Sequence, residues 1–287
     1  MPPNRQAVLH HPLTRIIIGL ALTLGIGIAA FIGIQQILNL TSLRQSDKDP
    51  ISGTVLAALV CIVYVLLYQR YEKRKVTELS TRKLPQYLLA GILIGASITA
   101  ATILTEYLAH YLSITATRPF LPLLPNLWNT FVNSIVAELL IIGIVFRIAE
   151  TWLGSYITLA ILFVVFIILH LSATGDSPVS AICVALHAAF LCTTSYMYTR
   201  SLWTPIAIHF AWDFSFAAIY GASINGYTMD NSLLQTSING PDWLTGGYFG
   251  PQGSIQAGLL CLLTGALLLN RCRRHQQILP PPFRKTR

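Results

Sequence analysis

The stretches IVAELLIIG at residues 135–143, FIILH at residues 166–170 and WTPIAIHFAWDF at residues 203–214 decide the fold. Each belongs to an apolar run that is long enough to be a membrane-spanning helix. Together they carry four ionisable side chains, Glu138, His170, His209 and Asp213. An ionisable group in hydrocarbon costs about 3 kcal/mol or more, so such a residue usually faces a cavity or a partner. We therefore expect these four side chains to form a functional site inside the membrane.

The composition of the whole chain supports a membrane location. Of its 287 residues, 54% are hydrophobic and only 10% are charged, and the mean hydropathy is +0.61. Soluble globular domains carry about 25% charged residues. The net charge of +8 would suggest a nucleic-acid partner in a soluble domain, but here the basic residues cluster between apolar runs. We therefore predict no nucleic-acid partner.

Eight apolar runs are each long enough to cross the membrane, which takes about 17 to 25 helical residues. The sequence therefore predicts an all-α, polytopic membrane protein with about eight transmembrane helices. These are expected near residues 16–38, 52–69, 87–109, 128–148, 155–172, 178–198, 203–222 and 253–270. We divide the chain into helices one to three (1–127), a core with the motif helices (128–222), and an outer loop, last helix and basic tail (223–287).

The basic residues predict the orientation, because Lys and Arg accumulate on the cytoplasmic side of membranes. With both termini in the cytoplasm, only Arg44, Lys48 and Arg118 of the 19 Lys and Arg residues lie on the other side. We predict a multi-pass protein of the cell (plasma) membrane with both termini cytoplasmic. The connection 70–86, which contains RYEKRK, is expected to be a solvated basic loop. The tail 271–287 is expected to be disordered or bound to the surface.

The third stretch places His209 and Asp213 on one face of a helix, because residues four apart lie about one turn from each other. A histidine held by a carboxylate can be a metal ligand, a general base or a donor to a developing oxyanion. The same pair could instead be an internal hydrogen bond that ties helices together. Glu138 has no charged neighbour on its own helix face, so we expect its partner to come from another helix. Phe166 and His170 are also four apart, and their rings are expected to pack together.

The order of these motifs resembles the CAAX protease and bacteriocin-processing (CPBP or Abi) family of intramembrane endopeptidases, which includes the type II CAAX prenyl endopeptidases. Members of this family carry the motifs EExxxR, FxxxH, and HxxxN or HxxxD. The resemblance spans about residues 135–214 and is most specific over YTRSLWTPIAIHFAWDF at residues 198–214. It implies hydrolysis of a peptide bond by water that a glutamate and a histidine activate. Carried over, His170 would be the water-activating histidine, and His209 with Asp213 the oxyanion pair.

The first motif departs from the family pattern. When Gly143 is aligned with the glycine that follows the motif arginine, Ala137 stands at the first glutamate, Glu138 at the second and Ile142 at the arginine. The first glutamate is the one that the family uses for catalysis. Adjacent helical residues are rotated by about 100°, so Glu138 would be a displaced general base without its arginine partner. The sequence therefore leaves open whether the chain is an active enzyme.

The functional prediction is an intramembrane endopeptidase with the catalytic residues Glu138, His170, His209 and Asp213. Its expected partners are a peptide or membrane-protein substrate and the lipid bilayer. The alternative is a catalytically inactive member of the family that binds a membrane peptide, as an immunity protein would. A transporter or channel that uses the same buried acids is a third hypothesis, although no inverted repeat supports it. The cofactor is undecided: either none, or a divalent metal such as zinc held by His170 and His209.

Overall fold

The chain forms helices over each of its long apolar runs. The structure, a computed structural model, describes residues 9–174, 177–229 and 231–282. The α-helices are α1 Pro12–Asn39, α2 Gln45–Arg70, α3 Leu84–Leu108, α4 Leu124–Glu138, α5 Arg147–Leu153, α6 Ser155–Thr174, α7 Pro178–Ala185, α8 Cys192–Thr199, α9 Trp203–Asp213, α10 Asp242–Thr245 and α11 Ile255–Arg274. Three further segments have the wider i→i+5 hydrogen bonding of a π-helix. They are Leu139–Phe146 after α4, Leu186–Leu191 after α7 and Phe214–Ile219 after α9.

Seven helices in the described residues are long and apolar enough to cross a membrane. The eighth predicted helix, 203–222, is shorter than these seven, because α9 and its π-helical extension contain 11 and 6 residues. Large apolar side chains face outward, as lipid-facing residues do; Leu93 and Ile168 are 57% and 58% exposed. The chain is therefore a mostly helical, multi-pass membrane protein, as the sequence predicts.

Helices α3 and α9 pack with their backbones in close contact. A Cβ atom added to Gly95 of α3 would lie 2.7 Å from the Ile208 carbonyl oxygen and 2.9 Å from the Ala211 Cβ. Gly91, four residues earlier, also faces α9 without space for a Cβ. Small residues at this spacing allow membrane helices to approach each other closely. This packing holds α9, the helix that carries the HxxxD motif.

Two short strands lie together at one end of the described structure. Strand β1, Leu112–Thr117, pairs antiparallel with β2, Leu234–Ile238. Next to this pair, the Arg118 main-chain N–H donates to the Leu233 carbonyl oxygen at 2.8 Å. The connection 220–229 lies beside the strands, because the Thr236 hydroxyl of β2 donates to the Tyr220 carbonyl oxygen at 2.9 Å. We call β1, β2 and the connection 220–229 the sheet end.

The connection 71–83 exposes most of its Lys and Arg residues, as the predicted solvated basic loop would, but it also contains a buried glutamate. Glu78 is 3% exposed and accepts hydrogen bonds from Arg74, at 2.6 Å, and from the Tyr64 hydroxyl. Burial alone would raise the pKa of Glu78, but these hydrogen bonds outweigh it and hold the pKa below its ordinary value. Arg74 is the exception among its basic residues, because it pairs with Glu72 and Glu78. Lys73, Lys75, Arg82 and Lys83 are exposed, as the sequence predicts.

Glu72, in the same connection, joins two helices. It accepts hydrogen bonds from Arg15 of α1 at 2.6 Å and from Arg147 of α5 at 3.3 Å. Burial raises the pKa of Glu72, but the charges of Arg147 and Arg15 lower it by more, so the pKa is depressed overall. We call the connection 71–83, together with Arg15 and Arg147, the basic end.

The tail that follows α11 folds back onto the helix bundle. The Leu279 main-chain N–H donates to the Ser155 hydroxyl at 2.9 Å, and the Ser155 N–H donates to the Leu279 carbonyl oxygen at 3.0 Å. The Arg200 guanidinium donates to the Gln277 carbonyl oxygen. Of the predicted tail 271–287, residues 271–274 continue α11, which the sequence did not predict, and residues 275–282 are bound to the bundle surface. Residues 283–287 lie outside the described residues.

Candidate active site

Glu138 is the last residue of α4 and lies inside the helix bundle, with 1% of its surface exposed. Its Oε1 accepts a hydrogen bond from the Nδ1 of His209 at 2.7 Å. Its Oε2 is buried and has no hydrogen-bond partner among the described residues. The partner that the sequence requires from another helix is therefore His209 of α9, and the second carboxylate oxygen keeps its capacity to accept a hydrogen bond.

His209 is shared between two carboxylates. Its Nε2 lies 3.3 Å from the Oδ2 of Asp213, one turn further along α9. An imidazole that donates from both ring nitrogens is the cationic form. The contact with Asp213 is longer than the contact with Glu138 and is therefore the weaker of the two. We call Glu138, His209 and Asp213 the acid–histidine cluster.

His187 forms one wall of this cluster. It is 3% exposed, and its ring stacks on Trp212 with 4.0 Å between centroids and 7° between planes. The same ring meets His209 edge-on, with 5.6 Å between centroids. Its Nε2 lies 3.9 Å from the Sγ of Cys192. From the sequence, His187 is a polar residue within an apolar helix to which no role could be assigned.

Helix α6 places His170 in a different environment. Its Nδ1 donates to the Phe166 carbonyl oxygen at 2.8 Å, and the two rings stack as the sequence predicts. Phe249, from the segment before α11, lies on the ring with 5.7 Å between centroids. Within the described part of the chain, no hydrogen bond joins His170 to the acid–histidine cluster. The structure thus brings three of the four predicted site residues into contact, and the catalytic roles of all four stay predictions.

An open cavity of about 350 Å³ connects the acid–histidine cluster to the sheet end. Asp213 lines this cavity, and Asn129 and Asn133 of α4 project into it. Asn225 and Thr228, from the connection after α9, line its outer part. Its described lining includes no Lys, Arg or His. A substrate segment in this cavity would therefore lie next to the cluster.

The positions of the first family motif have no charged side chain besides Glu138. Ile142 is completely buried in the apolar core. Arg147, on the next helix, donates its Nε to the Gly143 carbonyl oxygen at 2.8 Å and pairs with Glu72. It does not pair with Glu138 in the described structure. His209 therefore takes the place of the missing arginine as the partner of Glu138.

The arrangement of histidines does not fit the metal site that the sequence leaves open. Both ring nitrogens of His209 face carboxylates, whereas a metal ligand needs a ring nitrogen with a free lone pair. No described contact joins His209 to His170. Across residues 9–174, 177–229 and 231–282, no group of three or more His, Cys, Asp and Glu side chains has the geometry to hold a metal ion.

The three π-helical segments are a feature of the site that the sequence did not indicate. One begins directly after Glu138, one begins directly after Asp213, and one contains His187. Short π-helical turns within α-helices frequently occur at functional sites. They escaped prediction because the same apolar residues fill α-helical and π-helical turns in a membrane, so hydropathy cannot distinguish them.

Comparison with known proteins agrees with the motifs. Residues 119–215 match the family model of the type II CAAX prenyl endopeptidase Rce1-like proteins, and this part of the chain is a domain of that family. The match includes the acid–histidine cluster and His170, and it lies mostly within the predicted core 128–222. No curated protein and no solved structure matches the chain.

Proposed function

We propose that the protein is an intramembrane endopeptidase in which the acid–histidine cluster acts on a peptide bond. The geometry of Glu138 carries this proposal. His209 holds one of its carboxylate oxygens at 2.7 Å, and the other oxygen is buried without a partner in the described residues. A carboxylate held in this way can accept a proton from water. The family match, which covers the whole cluster, supports the same chemistry.

In the proposed reaction, Glu138 is the general base. Its Oε2 accepts a proton from a water molecule while the water oxygen attacks the carbonyl carbon of the substrate. The carbon–oxygen bond that forms turns the carbonyl oxygen into an oxyanion. When the carbon–nitrogen bond breaks, the leaving nitrogen takes the proton from Glu138, which restores the carboxylate.

His209 is the proposed hydrogen-bond donor to the oxyanion. Its Nε2–H faces Asp213 at 3.3 Å, a weak contact that a developing negative charge can replace. Asp213 would hold the imidazole in its cationic form until the substrate is in place. His170 keeps the predicted role of orienting the attacking water, and a bound substrate or a water molecule would have to connect it to the cluster.

We also propose that the basic end faces the cytoplasm of a cell membrane. The long connections and the tail that carry most of the Lys and Arg residues lie at or near this end, which suits the cytoplasmic side. Both termini would then be cytoplasmic, and the sheet end would face the opposite side.

The decisive experiment is the cleavage of a peptide library by the purified full-length protein in detergent. We expect the wild-type protein to cut, and Glu138→Gln to lower the rate by a factor of about 10² to 10⁴, because removal of a general base has effects of this size. Glu106→Gln is the matched control, since Glu106 is equally buried, in α3, and bonds to Gln256 instead of the cluster. If the Glu138→Gln variant cut peptides as fast as the wild type, Glu138 would be excluded as the base.

A binding protein without hydrolytic activity is the second candidate. It is favoured by Ala137, which stands where the family has its catalytic glutamate, and by the two carboxylates that occupy both nitrogens of His209. Ala137→Glu separates the candidates. If the wild type is inert and this variant cuts, the chain has lost only the catalytic carboxylate. If both are inert while the peptide still binds, the protein is a binding protein.

A further inference from the structure

The cavity beside the cluster is continuous with one end of the protein and not with the other. On the side of the sheet end, it extends past Asn133 of α4 to Asn225 and Thr228. On the side of the basic end, Leu139 and Ile142, which follow Glu138, have no exposed surface. A substrate therefore has a route to the cluster from the sheet end.

Further towards the basic end, hydrogen bonds close the bundle. The Tyr64 hydroxyl lies 3.0 Å from the Gly143 carbonyl oxygen and also contacts Glu78. Arg147 donates to the same Gly143 carbonyl oxygen. A polypeptide that approached from this side would have to break a buried network of ion pairs.

The polar groups of the cavity match the main chain of a peptide. Asn129 and Asn133 lie four residues apart on one face of α4, and neither has a hydrogen-bond partner among the described residues. A carboxamide offers both donors and an acceptor, as a peptide group does. Ala137 follows at the same spacing, so these amides lie on the helix face that leads to the first-motif position.

The charge of the cavity favours an internal segment of a polypeptide over its free carboxyl terminus. In the described lining, Asp213 is the one side chain that is charged at neutral pH, and no basic side chain is present to pair with a terminal carboxylate. A free carboxyl terminus would lie near a like charge without a counterion, which is unfavourable in a partly buried site. An internal segment carries no such charge.

We infer that the cavity binds an internal segment of an extended polypeptide that arrives from the sheet end, with its main-chain groups paired to Asn129 and Asn133. This inference rests on the proposed endopeptidase function, and it adds the side of access and the part of the substrate that is recognised. The terminal carboxylate of a substrate would lie outside the cavity.

Cysteine labelling tests the side of access without requiring catalysis. The full-length variants Asn133→Cys, Thr228→Cys and Thr77→Cys are placed in sealed vesicles and treated with a membrane-impermeant maleimide. Thr77 is an exposed residue of the basic end, and four of the five native cysteines are buried. We expect Asn133→Cys and Thr228→Cys to react from one side of the membrane and Thr77→Cys from the other. Reaction of Asn133→Cys from the same side as Thr77→Cys would overturn the inference.

Peptide binding tests the recognised segment. A pool of short fluorescent peptides with acetylated and amidated ends is compared with the same pool carrying free carboxylates. We expect the capped pool to bind at least about tenfold more tightly than the free carboxylates. We expect Asn133→Leu to bind the capped pool about tenfold more weakly, because it lacks the amide that would pair with the peptide main chain. Asn239→Leu is the control, since Asn239 is exposed and lies outside the cavity. Equal or tighter binding of the free carboxylates would overturn the inference.

The two tests separate the failure of the inference from that of the proposed function. If the wild type cuts no peptide but labelling and binding follow expectation, the endopeptidase proposal fails and the side of access stands. If the wild type cuts and binding favours free carboxylates, the inference fails and the enzyme stands.

Discussion

The basic end and the sheet end satisfy their polar groups in opposite ways. At the basic end, Glu72 and Glu78 are buried and each is paired with more than one arginine. At the sheet end, the cavity is lined by amides and hydroxyls, with Asp213 as its one charged group in the described residues. Paired charges hold helices together and exclude water, whereas unpaired amides leave hydrogen-bonding capacity for a ligand. The comparison suggests that one end stabilises the bundle and the other receives the substrate.

The largest effect on stability is expected from Arg147→Met. This change leaves Glu72 and Glu78 buried with one arginine fewer, and the loss of one partner from a buried ion pair costs about 3 to 5 kcal/mol. Arg44→Met is the control, because the ion pair between Arg44 and Asp47 is exposed and should contribute about 1 kcal/mol or less. Thermal unfolding in detergent measures both. Equal losses in the two variants would mean that the basic end does not stabilise the bundle.

A smaller loss, about 1 to 3 kcal/mol, is expected from Gly95→Leu, because the added side chain collides with the backbone of α9. The collision would also move His209 and reduce peptide cleavage. Gly25→Leu is the matched control, since a Cβ at Gly25 of α1 meets no atom within 4 Å. If Gly95→Leu kept both the unfolding temperature and the activity of Gly25→Leu, the close contact between α3 and α9 would not position the site.

Strong acidification should weaken the basic end. The pKa values of Glu72 and Glu78 are lowered in the folded protein, so their stabilisation is complete above the ordinary carboxyl pKa of 4.5. It is lost as the pH falls through the lower folded values. The unfolding temperature should therefore drop below about pH 4, and less steeply in Glu78→Gln. A drop that is as steep in this variant would assign the acid sensitivity to other groups.

The smallest effect is expected at the sheet end, from Asn225→Gly. Gln252 donates to the Asn225 side chain at the cavity at 2.9 Å, and Asn225 is exposed with a positive φ that glycine also adopts. The loss of this one hydrogen bond costs about 1 kcal/mol. Asn239→Gly is the control, because Asn239 is exposed and lies outside the cavity. A loss of peptide binding in Asn225→Gly, with unfolding nearly unchanged, would show that this hydrogen bond shapes the cavity. Unchanged peptide binding would mean that it does not.

Sequence reasoning could predict the parts of the fold that depend on local composition. The apolar runs gave the long helices, and the spacing of His209 and Asp213 placed both on one face of α9. It could also require a partner for Glu138, because a lone carboxylate is costly in a membrane. That partner proved to be His209, which no local pattern could name.

The remaining features depend on contacts between distant segments. The strand pair joins Leu112 to Ile238, and Glu72 of the connection 71–83 pairs with Arg15 and Arg147. Neither follows from composition, because each segment alone is short and polar. The contacts of His170 with Phe166 and Phe249 likewise depend on how α6 packs, and a motif carried over from a family does not specify that packing.

The π-helical segment Leu139–Phe146 links the two ends, because it separates Glu138 from Arg147. Each residue of an α-helix advances it by about 100° and 1.5 Å, so the wider turns of this segment set the rotational phase between the two side chains. In the observed rotational phase, Glu138 faces His209 and Arg147 faces Glu72. A deletion of one residue within this apolar stretch would turn one half against the other by about 100°. A change in the number of residues between Glu138 and Arg147 would therefore disrupt their contacts as much as a substitution of either residue.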